Sequence, residues 1–421
     1  MSREMKQSGV PWLKDIPSEW KVERGKNVLV LLKRPVRDDD EVVTCFRDGE
    51  VILRSLRRTE GFTMSDKEIG YQGINEGDIV IHGMDGFAGA MGVSKSTGKG
   101  SPVLVVCSPK YDAIPQYIIY YLRALAMTDV FIALATGIRE RSCDLRWNKI
   151  SELEFILPSS IEQQKIASFL DRKCAEIDEM ITLQEKIVEE LKAYRQSKVK
   201  ELFDTYMATE TFTILKLGAM ASLVTKQTGF DYSNTISHAL VGELSENTIP
   251  YLQTKHFKDG YWNYNTDYYI PKDVAVRFPK ILLNKKSLLF SIVGASIGNV
   301  AVFPATTTAF LGGAICKVDL IKERDYEYIK HFMMSIYGQE QISSKINSSA
   351  QGTITVQNVR DFKIPMFDNP NVQNAITEEV SLLGDRISSL IAIKLSKIDS
   401  LKEYKKSIIY EYVTGKKEVT E

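Results

Sequence analysis

Basic side chains collect in short segments of the chain that are rich in glycine or polar residues. One such segment follows Gly137, is opposed by few acidic residues, and contains Arg139, Arg141, Arg146 and Lys149. A guanidinium presents a rigid fork of donors that pairs with a phosphate, or bidentately with a guanine in the major groove. This basic loop therefore predicts contact with nucleic acid.

Further candidates for the same chemistry lie in both halves of the chain. In the first half they are Arg54, Arg57, Arg58, Lys95 and Lys99, the last two in a glycine-rich stretch read as a flexible loop. In the second half they are Lys255, His256, Lys285, Lys286 and the amide-rich segment from Gln351 to Gln357. Any single one of them is more typical of a solvated surface charge than of a base contact, so the prediction concerns the loops as groups.

Residues for catalysis or metal binding do not stand out. Asp368–Asn371 lacks the second proline and the aromatic residue that an adenine methyltransferase needs, and Gly98-Lys99 lacks the first glycine of a phosphate-binding loop. The four histidines have no ligand spacing. We therefore expect no catalytic residue, no metal site and no cofactor in this chain.

Composition narrows the class of protein to which the chain can belong. The chain has 421 residues, 44% of them hydrophobic, and a formal net charge of zero, so DNA contact would depend on local patches. Its five scattered cysteines are typical of reduced thiols in a cytoplasmic protein. The amino terminus lacks the apolar core of a signal peptide. Tyr117–Ala135 is apolar, but Arg123 and Asp129 favour a buried helix over a membrane span.

Two long amphipathic helices are predicted. Apolar residues step by three or four through 161–206, which contains no proline or glycine, and through 371–414, where only Gly384 intervenes. Each helix would be roughly 65 Å long, and Gly384 should bend or weaken the second. Periodicity alone fits a dimerisation coiled coil as well as pairing within one chain.

The two helical segments are copies of each other. Ile166 and Ile376, Leu191 and Leu401, and Tyr194 and Tyr404 are pairs at the same offset of 210 residues. The segments before them also share an order: a strand, a glycine-rich turn, a strand, a helix, a polar loop and a final strand. The repeat therefore comprises a mixed α/β domain plus a helix, and it favours pairing of the two helices within the chain.

The helix motifs resemble a known family. The run EQQKIASFLDRKCAEIDEMI from Glu162, with LKAYRQSKVKELF from Leu191, resembles the central conserved region of the DNA-specificity subunits of type I restriction–modification systems. LKEYKKSIIYEYVTG from Leu401 resembles their distal conserved region, and Ile16, Pro17 and Trp20 fit their usual opening. Val372-Gln373 departs from the Glu-Gln that is typical of the family.

The resemblance implies an α+β fold in which two target-recognition domains are joined by two antiparallel helices with a pseudo-twofold arrangement. We expect the first domain at 1–159, the central helix at 160–207, the second domain at 208–367, and the distal helix and tail at 368–421. The two domains would read the halves of a bipartite, asymmetric site in double-stranded DNA.

The family also implies partners. Two methyltransferase subunits would dock on the helices, at a surface that includes Leu191, Tyr194, Arg195, Leu401, Tyr404 and Lys405. Translocase-nuclease subunits would join for restriction, and S-adenosylmethionine, ATP and Mg²⁺ would reside on the partners. The alternatives are a coiled-coil scaffold that binds only protein, which predicts no salt-dependent duplex binding, and a stand-alone α/β enzyme, which lacks an identifiable site.

Overall fold

The structure is a computed structural model that describes residues 3–57, 69–128, 130–133, 145–258, 261–262, 266–347 and 352–420. Its contacts divide the chain into two compact units. Unit 1 comprises Met1–Lys186 with Leu395–Glu421, and unit 2 comprises Ile187–Lys394. Each unit therefore holds one α/β domain and a part of each long helix.

Unit 1 is built on an antiparallel four-stranded sheet. Its strands lie in the order Leu29–Leu31, Leu104–Pro109, Ile79–His82 and Met91–Val93. Its other strands form antiparallel pairs: Met5–Val10 with Leu13–Pro17, Lys21–Arg24 with Glu154–Leu157, Val43–Cys45 with Val51–Leu53, and Gln72–Ile74 with Gly98–Gly100. Its short helices are Gly25–Val28, Pro115–Met127, Val130–Ala133 and Trp147–Ile150, with 3₁₀ turns at Arg54–Leu56 and Gly86–Ala88.

The helix at Pro115–Met127 packs against this sheet and fills the core of unit 1. Pro115 occupies a first-turn position, where its fixed φ suits a helix and its missing N–H costs nothing. The helix predicted from Tyr117 to about Ala135 is interrupted at Thr128, whose hydroxyl donates to the Ala124 carbonyl at 3.0 Å. A separate short helix follows at Val130–Ala133.

Unit 2 repeats the four-stranded sheet and adds a second one. The repeated sheet has the order Ala221–Lys226, Ile315–Leu320, Ser287–Ser291 and Val300–Phe303. The added sheet has the order Tyr269–Pro271, Thr248–Leu252, Ala309–Leu311 and Leu282–Leu283. The remaining pairs are Phe212–Lys216 with Lys363–Phe367 and Phe257–Lys258 with Tyr261–Trp262.

The helices of unit 2 follow the same plan. The helix Asp325–Met334 covers the repeated sheet as Pro115–Met127 does in unit 1, and Ser335 separates it from Ile336–Ser343. The shorter helices are Leu217–Met220, Gly229–Asp231, the π-helix Tyr232–Ile236, Ser237–Ala239, Lys272–Ala275 and Val356–Arg360, with 3₁₀ turns at Thr254–His256 and Gly294–Ser296. The predicted duplication of a mixed α/β domain is therefore present in the fold.

The long helices span Ser160–Thr209 and Pro370–Val413, and we call them the first and second long helix. Within unit 1 they pair in antiparallel fashion, because Phe169 contacts Tyr412 at 4.5 Å between ring centroids while Asp178 pairs with Lys405 at 2.6 Å. In unit 2 the Tyr206 hydroxyl of the first long helix lies 3.4 Å from the Glu379 carboxylate of the second. The second long helix continues through Gly384, so the glycine does not interrupt it, and the weakening expected there stays a prediction. Tertiary packing of the helix before and after Gly384 outweighs the low helix propensity of this one glycine.

Four cysteines of the described residues, Cys45, Cys107, Cys174 and Cys316, are free thiols in the core. Burial raises the pKa of the Cys45, Cys107 and Cys316 thiols to about 12. A buried thiol with a raised pKa is a poor nucleophile. Cys143 lies outside the described residues.

Candidate nucleic-acid interface

The basic candidates of unit 1 gather around the hairpin formed by Val43–Cys45 and Val51–Leu53. Arg57 and Lys95 both pair with Glu50, at 3.0 and 3.1 Å. Arg57 also pairs with Asp48 and lies over the Phe46 ring at 4.2 Å. The hydrogen bond from Arg57 holds the pKa of the Asp48 carboxyl below its usual value. The hairpin therefore positions two exposed cations through one set of carboxylates.

Arg54 and Lys99 belong to the same surface. The Arg54 side chain donates to the Thr44 hydroxyl at 3.1 Å, within the hairpin. Lys99 lies on the strand Gly98–Gly100, and its backbone N–H donates to the Glu41 carbonyl at 2.8 Å. The interpretation of this stretch as a flexible loop is wrong, because pairing with Gln72–Ile74 orders it as a strand. Lys95 precedes that strand and is exposed.

Arg146 is placed by a different turn. It precedes the short helix Trp147–Ile150, and the neighbouring Leu145 N–H donates to the Gly83 carbonyl at 2.9 Å. Arg146 is exposed at the glycine-rich turn that follows the strand Ile79–His82. Arg58, Arg139, Arg141 and Gln351 were also candidates and lie outside the described residues.

Arg47 was missed by the sequence interpretation. It follows the hairpin strand Val43–Cys45 and pairs with Asp85 of the glycine-rich turn at 2.9 Å. Its side chain is 69% exposed. Its position directly after a strand, before the turn Asp48-Gly49, was the available signal. Arg47 connects the hairpin surface with the turn beside Arg146.

The structure does not support His256 as an accessible DNA contact. His256 is 4% exposed, and its Nδ1 accepts the Gln253 N–H at 2.9 Å. Burial lowers the pKa of the ring, so it is neutral at physiological pH. His256 thus closes the 3₁₀ turn Thr254–His256. Lys255 beside it is exposed and pairs with Asp267.

Lys285 and Lys286 lie at the opposite end of the repeated sheet from the glycine-rich turn of unit 2. They precede the strand Ser287–Ser291, whose far end leads to Gly294 about 17 Å away. Lys285 pairs at 3.1 Å with Asp319, which is buried, and Lys286 lies over the Tyr326 ring at 5.5 Å. Strand direction therefore separates them from the turn at Gly294, and a DNA contact at these two lysines stays a prediction.

The buried Asp319 carboxylate fixes the position of the Lys285 side chain at this end of the sheet. It also pairs with Lys317 at 3.3 Å and accepts the Ser287 hydroxyl at 2.7 Å. Lys317 is only 1% exposed, and burial lowers its pKa. A buried carboxylate without its cations would carry a large desolvation cost. Lys285 is thus tied to the stability of the sheet.

The glycine-rich turn of unit 2 meets the amide-rich segment instead. The Gly294 N–H donates to the Gly352 carbonyl at 3.1 Å, and Val293 bridges Thr353. Gln357 lies on the helix Val356–Arg360, exposed, with its amide donating to Asp361 at 2.9 Å. Thr355 caps that helix by accepting the Asn358 N–H. The turn and the segment form one surface of hydroxyls, amides and backbone groups.

The predicted partner surface has matching exposure in the two copies. Tyr194 is 50% and Tyr404 53% exposed, and Leu191 and Leu401 are both half-buried. Their cationic neighbours differ, because Lys405 pairs with Asp178 and Arg195 borders a cavity. An exposed tyrosine on a helix is a frequent anchor of protein interfaces.

Histidine, cysteine and carboxylate side chains in the described ranges form no group that could hold a metal ion. Within the same ranges, no helix is long and apolar enough to cross a membrane.

Comparisons with known proteins agree with the sequence motifs. Residues 235–403 match the family model of the type I restriction modification DNA specificity domain. A chain from a structural study of complex assembly and conformational transition in a type I restriction–modification system has a TM-score of 0.69 and 13% identity, over 95% of this chain and 99% of that one. That likeness shows the same fold. No curated protein matches the chain.

Two other solved structures are similar over their length. The HsdS subunit from Thermoanaerobacter tengcongensis has a TM-score of 0.49 and 14% identity, covering 95% of this chain and 98% of that one. The S subunit of a type I system from M. genitalium has a TM-score of 0.40 and 15% identity, covering 98% and 100%. Residues 235–403 thus match a type I restriction modification DNA specificity domain, and the chain shares the fold of a type I restriction–modification structure over 95% of its length.

Proposed function

We propose that unit 1 and unit 2 each read one half of a bipartite, asymmetric site in double-stranded DNA. The observation that carries this proposal is the duplicated domain: both units have the same order of strands in a four-stranded sheet, covered by an equivalent helix. Because the two copies share one fold and differ in their loops, each copy can recognise a different DNA sequence.

The loops supply different chemistry in the two units. In unit 1 the hairpin surface presents guanidinium and ammonium groups at Arg47, Arg54, Arg57, Lys95 and Lys99. In unit 2 the turn at Gly294 and the segment 352–357 present amides and hydroxyls. Cations contact phosphates and guanine, and amides and hydroxyls contact other base edges, so the half-sites should differ.

The long helices serve as spacer and dock in this proposal. Tyr194 and Tyr404 are anchors for two methyltransferase subunits, and translocase-nuclease subunits join that complex. The chain itself is non-catalytic, as specificity subunits are in general. S-adenosylmethionine, ATP and Mg²⁺ then belong to the partners.

Exchange of one domain tests the proposal directly. Residues 1–158 are replaced by the first domain of another family member, and the complex is coexpressed with its methyltransferase. Because each domain reads its own half-site, methylation-sensitive sequencing should show one altered half of the motif, one retained half, and an unchanged spacer. Changes in both halves would contradict independent reading. If the wild-type complex shows no salt-dependent binding to duplex DNA, the chain is better described as a protein-binding scaffold.

A further inference from the structure

A cavity of about 200 Å³ opens in unit 2 where three helices meet. The first long helix contributes Arg195, the helix Asp325–Met334 contributes Lys330 and His331, and the second long helix contributes Ser381, Gly384 and Ser388. A water molecule occupies about 30 Å³ of liquid, so the cavity has room for a small solute.

The repeat shows how unit 1 fills the equivalent space. Lys405 stands where unit 2 has Arg195, and its ammonium pairs with Asp178 at 2.6 Å. Asp171 accepts the Tyr120 hydroxyl at 2.7 Å, and Cys174 is 6% exposed. In unit 1 the cation has its own carboxylate, and the buried Cys174 side chain lies beside the Tyr120 hydroxyl.

Unit 2 changes each of these positions while keeping the cation. Ser388 replaces Asp178 and Ser381 replaces Asp171, at the offset of 210 residues. Gly384 replaces Cys174, and a Cβ built there would meet no atom within 4 Å. Unit 2 has therefore lost two carboxylates and one side chain from the space that borders Arg195.

The charges around the cavity leave Arg195 available. Among the described residues no carboxylate forms an ion pair with Arg195. Lys330 pairs with Glu327 on its own helix, and Asp385 is exposed at the border of the cavity. His331 Nε2 lies 3.0 Å from the Ser381 hydroxyl, and burial keeps the ring neutral. The hydroxyls of Ser381 and Ser388 add donors beside the guanidinium.

We propose that this cavity binds a small ligand with a phosphate-type oxyanion, held by Arg195. A guanidinium pairs with phosphate through two parallel hydrogen bonds, and charge-assisted bonds are the strong ones. The anion would take the place that the Asp178 carboxylate occupies in unit 1. The site is therefore peculiar to unit 2, and the duplicated unit supplies its control.

Titration of the full chain with inorganic phosphate tests the proposal, with chloride adjusted to hold ionic strength constant. The chain is purified in complex with its methyltransferase. The heat of phosphate binding is measured by calorimetry for each variant and for wild type, so the heat from any phosphate that the partner binds cancels in the comparison. We expect one saturable site that Arg195→Ala weakens roughly tenfold or more. Ser388→Asp should have the same effect, because it restores the internal carboxylate of unit 1.

Lys405→Ala is the matched control: it removes the equivalent cation from unit 1, and because Arg195 and Lys405 both belong to the predicted partner surface, any effect on assembly is common to the two variants. Its phosphate affinity should equal that of wild type. Gly384→Leu keeps every charge and fills the cavity, so it should also abolish phosphate binding. An unchanged far-ultraviolet circular dichroism spectrum shows that each variant is folded. Equal affinity in wild type and Arg195→Ala, or equal loss in Lys405→Ala, would overturn the proposal. Competition by duplex DNA that depends on Arg195 would assign the site to the DNA backbone instead.

Discussion

Individual polar side chains fasten each domain to its helices. In unit 1 the buried Tyr117 hydroxyl donates to the carbonyls of Ile156 at 2.8 Å and Val413 at 3.2 Å. In unit 2 the Tyr328 hydroxyl donates to the Pro365 carbonyl. Both tyrosines lie on the domain helix and reach the strand that leads to a long helix. Each hydroxyl therefore ties the domain helix to the strand that precedes a long helix.

His331 makes the stability of unit 2 dependent on pH. Burial lowers its pKa from 6.5 to about 3. Between these values the unfolded chain binds a proton that the folded chain does not, so stability rises with pH and is lost as pH falls below 6.5. We expect wild type to lose up to about 1.4 kcal/mol per pH unit relative to His331→Gln, measured by urea unfolding from pH 7 to 5.

His238→Gln is the control for this titration. His238 is exposed, so its substitution should leave the pH dependence of wild type unchanged. Parallel stability curves for wild type and His331→Gln would contradict the assigned burial of the ring.

Two glycines in helices of unit 2 differ in what a side chain would meet. Gly384→Ala should stabilise the protein by about 0.5–1 kcal/mol, because alanine loses less backbone entropy in a helix and its Cβ enters open space. Gly338→Ala should destabilise it, because its Cβ would lie 2.3 Å from the Met333 Cα. Thermal unfolding compares the two. Destabilisation by Gly384→Ala would show that the helix there is not regular.

The hairpin surface of unit 1 should contribute to DNA affinity through phosphates. Replacing a lysine that contacts phosphate removes about one unit of counterion release, so Lys95→Gln should weaken binding and lower the salt slope by about 0.9. Fluorescence anisotropy of the complex at several salt concentrations measures both. Lys14→Gln, at an exposed lysine of the amino-terminal strand pair, is the control. An unchanged slope for Lys95→Gln would exclude that contact.

At the scale of the whole molecule, unit 1 is formed by two separate stretches of chain and unit 2 by one continuous stretch. Unit 1 begins at the amino terminus and is completed by the last residues, and Gly415 shows how closely they fit. A Cβ on Gly415 would lie 2.4 Å from the Pro17 ring, and its φ of +72° suits glycine alone. Unit 2 comprises the intervening residues. Among the elements of the described residues, only the two long helices have parts in both units.

Lengthening both long helices should lengthen the DNA spacer. Four residues inserted between Leu183 and Val188, and four between Ile393 and Ile398, add roughly 6 Å to each helix and keep the apolar stripe within about 40° of register. Both domains should still read the same bases, with one or two more base pairs between half-sites. Sequencing of the methylated motif measures the result. An unchanged spacer with an altered half-site would show that the helices do not set the distance.

The sequence by itself determined the long helices, the duplication and the resemblance of the helix motifs to a known family. These features depend on local periodicity and on an offset repeat, so they can be seen without knowing what any side chain contacts. Helix spacing at Ile166 and Ile376 was sufficient to predict buried stripes, and both residues are buried. The general prediction of basic and polar loops followed from composition in the same way.

Only the tertiary structure decided which of those loop residues share a surface. Lys285 differs from Lys95 because Asp319, distant in sequence, is buried beside it, and His256 is buried by the core of the second sheet. The cavity at Arg195 also depends on distant positions, Gly384 and Ser388. Burial and ion pairing are properties of such non-local neighbours, and no local pattern of residues specifies them.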